Sequence, residues 1–201
     1  MVELREAAAS DPGDATIPDA IGVALGELGD LDQAFAAFRQ AIALAPEFAA
    51  PRFHLGLALE RSGQPRDALV SYQQAIRLQP GLIEARHGMG SVLEQLGDFD
   101  GAIAQFDAVT RAAPAIAEAH YNLGLSFWSR YKAATGPRQS SDIQAAAAEL
   151  RTAARLAPAD TKVHAALGQL LADTDDLDGA VVSLQKAQAL APDSGAIAYD
   201  L

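Results

Sequence analysis

The chain has 201 residues, half of them hydrophobic, a formal charge of −11 and no cysteine. So much apolar material can build a core, which excludes a disordered acidic polymer, and the missing thiols exclude disulfides, thiolate metal sites and a cysteine nucleophile. The acidic balance argues against nucleic acid and anionic membrane as partners, because both need a basic footprint.

In chain order, residues 1–14 read as the end of a second helix from a helix pair, carried by Leu4, Ala7 and Pro12. The chain then repeats. Pro12, Pro46, Pro80, Pro114, Pro158 and Pro192 are separated by 34, 34, 34, 44 and 34 residues. Eight residues before each stands a bulky apolar residue (Leu4, Phe38, Tyr72, Phe106, Leu150, Leu184), and five before each a smaller one (Ala7, Ala41, Ala75, Val109, Ala153, Ala187). Residues three apart share a helix face. An earlier helix in each unit carries Gly22, Gly56, Gly90, Gly124 and Gly168, each behind a bulky apolar residue. Glycine inside a helix costs about 0.5–1 kcal/mol relative to alanine, so its recurrence predicts a close approach that a Cβ would block. Gly29, Gly63 and Gly97 fit the left-handed position past a helix end. Each unit is therefore helix, tight turn, helix, proline-marked turn, over 15–48, 49–82, 83–116, 117–160 and 161–194, with 195–201 opening a further first helix.

This pattern resembles the tetratricopeptide repeat family, whose unit is 34 residues and two antiparallel helices. The stretch Ala117-Glu-Ala-His-Tyr-Asn-Leu-Gly124 is very close to the family consensus. The resemblance implies an all-α fold, a right-handed α-solenoid of antiparallel helix pairs, with residues 1–201 forming a single array. The family's first-helix tryptophan is replaced by Pro18, Arg52, Arg86, His120 and His164, which predicts looser packing there. Pro12, Gly13 and Pro18 predict a short or frayed first helix in unit 1. The pattern is cut inside a repeat at both ends. Short terminal pieces acting as caps is one reading, and a segment of a longer array or fusion is the other.

The 44-residue gap places ten extra residues in unit 4, near 131–141. The first helix is predicted to continue for a turn, to stop at Gly136-Pro137, and to hand over to a helix capped by Ser141 and Gln144. Arg130, Lys132 and Arg138 make this insertion a local basic knob, either a tolerated loop or a contact for an acidic partner.

No catalytic motif is present: no Gly-x-Ser-x-Gly, no phosphate-cradling loop, no His-Glu-x-x-His. The chain is expected not to be an enzyme and to need no cofactor. His54, His87, His120 and His164 contain no His-x-x-x-His pair, so no metal site is expected. The acidic pairs Asp30/Asp32, Asp98/Asp100 and Asp176/Asp178 lack a calcium loop's closing glutamate and are read as helix N-caps. No apolar run is long enough for a membrane-spanning helix, and the start lacks a signal-peptide pattern, so the cytoplasm is the expected location.

In the family, the first helices line a concave groove where partner peptides lie. Transferred by register, that places Phe53, Leu57, Glu60, Glu84, His87, Glu94, Glu118, Tyr121, Asn122, Leu125 and Trp128 on the groove. Phe53, Tyr121, Leu125 and Trp128 are the expected anchors, and the glutamates favour an apolar ligand with basic flanks. Asp19, Val23, His54, Glu84 and Gly88 cannot supply the cationic carboxylate clamp of some members, and Asn122 alone cannot make an asparagine ladder. The expected function is a non-catalytic protein–protein interaction scaffold that binds a partner peptide or protein in its groove. The alternative is a recruiting segment of a larger enzyme whose catalytic domain lies outside this chain. Self-association through exposed repeat ends is a third expected mode.

Overall fold

The computed structural model describes residues 11–134 and 140–192. Among the described residues there are ten helices and no strand. They fall into two compact units, residues 1–96 and 97–201. The first contains α1 (Thr16–Glu27), α2 (Leu31–Leu44), α3 (Ala49–Arg61), α4 (Pro65–Leu78) and α5 (Ile83–Gln95). The second contains α6 (Phe99–Ala112), α7 (Ala117–Ala133), α8 (Ser140–Leu156), α9 (Thr161–Ala172) and α10 (Leu177–Leu190). The two segments assigned to partial terminal repeats, and Gly136-Pro137, lie outside the described residues.

Within each unit, every helix packs on the next in sequence, and the first helices of successive pairs also touch: α1 on α3 and α3 on α5, then α7 on α9. The two sequence ladders are the two sides of one joint. A Cβ built on Gly22 would stand 2.5 Å from the Phe38 ring, and one on Gly56 would stand 2.6 Å from the Tyr72 ring. In the second unit, Gly124 faces Leu150 at 2.9 Å and Gly168 faces Leu184 at 2.6 Å. In these four pairs the bulky residue of the second helix fills the hole left by the glycine of its partner helix. Phe38, Tyr72, Phe106, Leu150 and Leu184 are all buried, and so are the alanines one turn before them, Ala34, Ala68, Ala102, Ala146 and Ala180. Tyr72 is pinned twice, because Gly88 of α5 also faces it at 2.6 Å. Burial pushes its phenol well above the ordinary range, and the Glu60 carboxylate that accepts its hydroxyl at 2.8 Å adds to the shift.

Local signals explain the helix ends. Gly29, Gly63 and Gly97 have φ of 81°, 73° and 80°, the left-handed conformation expected of them. The equivalent place in the last pair is Asp175, with φ 60°. Asp30, Asp98 and Asp176 accept backbone N–H bonds from Gln33, Gly101 and Gly179 at 3.2, 2.9 and 3.1 Å, which makes them the N-caps read from sequence.

Two expectations are corrected. Helix α1 is not shortened by its prolines: it has 12 residues, as many as α9. Pro18 falls in its first turn, where the N–H it lacks has no helical acceptor, and Pro51 does the same in α3. The positions that replace the family's tryptophan are also not loose. Arg86, His120 and His164 each reach back to the carbonyl of the proline six residues upstream, Pro80, Pro114 and Pro158, at 3.1 Å. A polar clasp closes the turn where an indole would have packed, and His164 is buried in it.

The described part of the insertion is largely helix. Helix α7 has 17 residues where α3 and α5 have 13, and α8 has 17 where α4, α6 and α10 have 14. Helix α8 already begins at Ser140, one residue before the expected cap Ser141. Arg130, in the last turn of α7, donates to both oxygens of Asp142 in the first turn of α8, at 2.9 and 2.7 Å, and also pairs with Asp100. The hydrogen bonds it donates to Asp142 hold the guanidinium well above its usual pKa, against the opposing effect of desolvation. Lys132 lies 4.0 Å from the Trp128 ring centroid, a cation–π contact. Two of the three charges of the basic knob are therefore engaged inside the fold, and Arg138 lies outside the described residues.

Candidate functional site

In the first unit, α1 and α3 lie side by side, and a pocket of about 250 Å³ opens between them. Its apolar wall is Val23, Phe53, Leu57 and Ala58, with Leu31 and Phe38 of α2 at the back. Gly26 leaves a gap in the α1 side, where a Cβ would meet nothing within 4 Å. The polar side chains on the lining are Glu27, His54 and Arg61. Phe53 stacks on the His54 and Tyr72 rings, with centroids 5.3 and 6.2 Å apart, so its position is fixed before any ligand arrives. Leu57 is 38% exposed, a large aliphatic side chain in water next to that fixed ring.

His54 is held by a second contact. Its Nδ1 lies 2.8 Å from Oδ1 of Asp19, a buried side chain of α1. An ionised carboxylate can only accept, so Nδ1 carries the hydrogen. From the sequence, Asp19 and His54 were named only as residues that cannot supply a cationic clamp. The signal is a pair of residues 35 apart, one repeat plus one, which only the helix packing turns into a contact.

The remaining expected site residues distribute as follows. Glu60 is half-buried and accepts the Tyr72 hydroxyl. Glu84 is exposed in the first turn of α5, while His87 and Glu94 on the same helix are half-buried. In the second unit, Glu118, Tyr121 and Asn122 line a separate pocket of about 210 Å³ together with Asp160, Lys162 and Val163. Leu125 packs against the core formed by α7–α10. Trp128 belongs to that core: it is 8% exposed and its indole N–H donates to Asp173 at 3.1 Å. The tryptophan read as an anchor from its helix position is turned inward, because a bulky side chain on a first helix can also cover the next helix pair.

Among the described residues no group of three metal-binding side chains comes together, and no helix is long and apolar enough to cross a membrane. Each unit is a run of antiparallel helices joined by short turns, with a bulky side chain packed against a helix glycine in pair after pair. That is an all-α repeat fold. The chain belongs to the tetratricopeptide repeat family, a family of protein-interaction scaffolds: the family profile matches residues 20–83, 87–136 and 131–195. Solved structures share the fold. A MamA RS-1 double mutant is 22% identical, with 91% of this chain and 97% of that chain covered and a TM-score of 0.80. MamA from Desulfovibrio magneticus RS-1 is 22% identical, with 90% and 97% covered and a TM-score of 0.80. YrrB, described as a TPR protein with an unusual peptide-binding site, is 16% identical, with 98% and 96% covered and a TM-score of 0.80. Among curated proteins, none matches the sequence.

Proposed function

We propose that the chain is a non-catalytic interaction scaffold and that its first unit binds a peptide or protein segment through an apolar anchor. The observation that carries this reading is the α1–α3 pocket, where the half-exposed Leu57 and the pre-stacked Phe53 face the gap left by Gly26. A fixed aromatic beside an open aliphatic edge gains from burial without first losing rotamer freedom, as binding hot spots do. Glu27, Glu84 and Glu94 lie on first helices of the same unit and favour basic residues flanking the anchor. Glu118, Tyr121 and Asn122 support a second, more polar contact in the other unit. Leu125 and Trp128 support that surface from beneath, and replacing them is expected to act through stability.

The test is selection from a random peptide library, followed by affinity measurement against Leu57→Glu and Val23→Glu. Both variants are expected to weaken selected peptides at least tenfold, about 1.4 kcal/mol, with helicity unchanged. Peptides that bind both variants as well as the parent protein do not use this pocket, and the reading then fails.

A further inference from the structure

His54 is a polar group of the pocket wall whose chemistry the apolar anchor does not use. Its Nδ1–H is committed to the buried Asp19 carboxylate. Its Nε2 makes no hydrogen bond among the described residues, and the side chain is 27% exposed. His120 is different: its Nδ1 meets Glu149 at 2.6 Å and its Nε2 meets the Pro114 carbonyl at 3.1 Å, so both nitrogens are engaged. The His54 ring cannot easily turn away, because it lies between Phe38 and Phe53 at 5.9 and 5.3 Å.

We propose, building on the peptide-binding reading of this pocket, that His54 is its specificity-determining residue. It reads a carboxylate placed beside the ligand's apolar anchor, and it does so best when Nε2 is protonated. With Nδ1–H fixed by Asp19, neutral His54 offers Nε2 only as an acceptor, while the imidazolium offers an N–H donor and a positive charge. The other charged groups around it set the background. Asp19 and Glu27 come from α1, and Arg61 from α3 itself. Helix α2 contributes the apolar Leu31 and Phe38, and the nearest titratable group of α4, Tyr72, is hydrogen-bonded to Glu60. Arg61 offsets Glu27 in formal charge, and a proton on His54 offsets Asp19, so protonation turns a net negative pocket into a neutral one that also offers an N–H donor. The ligand class is a peptide with an aromatic or aliphatic anchor, an Asp or Glu next to it at His54, and basic residues only further along, toward Glu84 and Glu94.

The experiment uses random peptides without histidine, selected on the full chain at pH 5.5, and measures their affinities at pH 5.5 and 8.0. The parent protein is expected to bind at least fivefold more tightly at pH 5.5. His54→Phe, which keeps the ring stacking, and His54→Gln, which keeps a partner for Asp19, are each expected to reduce that ratio below twofold. Changing the peptide's acid to its amide is expected to do the same. A parent protein with no pH dependence, or a histidine variant that keeps it, overturns the proposal while leaving the pocket reading intact. Selected peptides that bind Leu57→Glu unchanged, or no selected peptide at all, overturn both.

Discussion

Gly56→Ala and Gly26→Ala make the same chemical change in neighbouring first helices and are expected to act with opposite signs. In an exposed helix interior, alanine is favoured over glycine by about 0.8–1 kcal/mol. At Gly26 a Cβ meets nothing within 4 Å, so this gain should be retained. At Gly56 the Cβ would lie 2.6 and 2.7 Å from two carbons of the Tyr72 ring, closer than real Cβ atoms come. The ring cannot retreat. Tyr72 is fully buried, Gly88 closes on its other side at 2.6 Å, and its hydroxyl is tied to Glu60 at 2.8 Å. Overpacking of a closed core site costs about 1–3 kcal/mol, so Gly56→Ala should be net destabilising by up to about 2 kcal/mol after the propensity gain. Urea unfolding followed by far-ultraviolet circular dichroism reads both signs. The midpoint should rise for Gly26→Ala and fall for Gly56→Ala, and adding Tyr72→Leu should recover part of the loss by removing the ring. If Gly56→Ala stabilises the protein as Gly26→Ala does, the glycine ladder is not a packing device and the argument is refuted.

Arg130→Ala should cost about 2–4 kcal/mol, because it strands Asp142, whose side chain is only 7% exposed, without its two hydrogen-bond donors. Asp100→Ala should cost less than about 1 kcal/mol, since that partner is 81% exposed, and equal losses in thermal unfolding would contradict this ranking. Asp175→Gly should raise stability by about 0.5–1 kcal/mol, because the backbone there has φ 60° where its three counterparts are glycine. A lowered denaturant midpoint would show that the aspartate side chain contributes more than its backbone strain costs. Tyr72 gives a pH prediction. Its phenol pKa is raised in the fold by burial and by Glu60, so the native state holds that proton where the unfolded chain loses it. Stability from this group is complete below the ordinary tyrosine value of 10.0 and falls as pH rises above it. Tyr72→Phe should be less stable at neutral pH yet lose less between pH 9 and 11. Identical alkaline slopes in the two proteins would remove Tyr72 as the cause.

The repeat, its helix pairs and its turns were legible in the sequence because they are local and periodic. Glycine past a helix end, aspartate at an N-cap and a small residue three positions after a bulky one each state their reason within a few residues. The period of 34 then multiplies a weak signal fivefold. Even the glycine ladder predicted its own cause, a close approach, though not that Phe38, Tyr72, Leu150 and Leu184 were what approached. Where the reading went astray, the deciding contact lay outside the local window. Arg86, His120 and His164 were read as loose packing, yet each reaches the carbonyl of the preceding turn. Trp128 was placed by helix register on the ligand surface, but which way a first-helix residue faces depends on the neighbouring pair, and Asp173 draws its indole inward.

The sequence by itself determined what this protein is made of: helix lengths, caps, turn conformations and the alternation of holes and knobs that makes one pair repeat the next. Those follow from backbone sterics and side-chain size, which act at short range. Only the tertiary structure decided which residues remain to meet a partner. Asp19 and His54 are 35 residues apart and meet because α1 and α3 stack. Arg130 and Asp142 cancel charges that looked available to a ligand. Phe53 and Leu57 form a pocket rather than a core because Gly26 leaves a gap opposite them. Exposure and pairing are properties of packed neighbours, and no single helix carries that information.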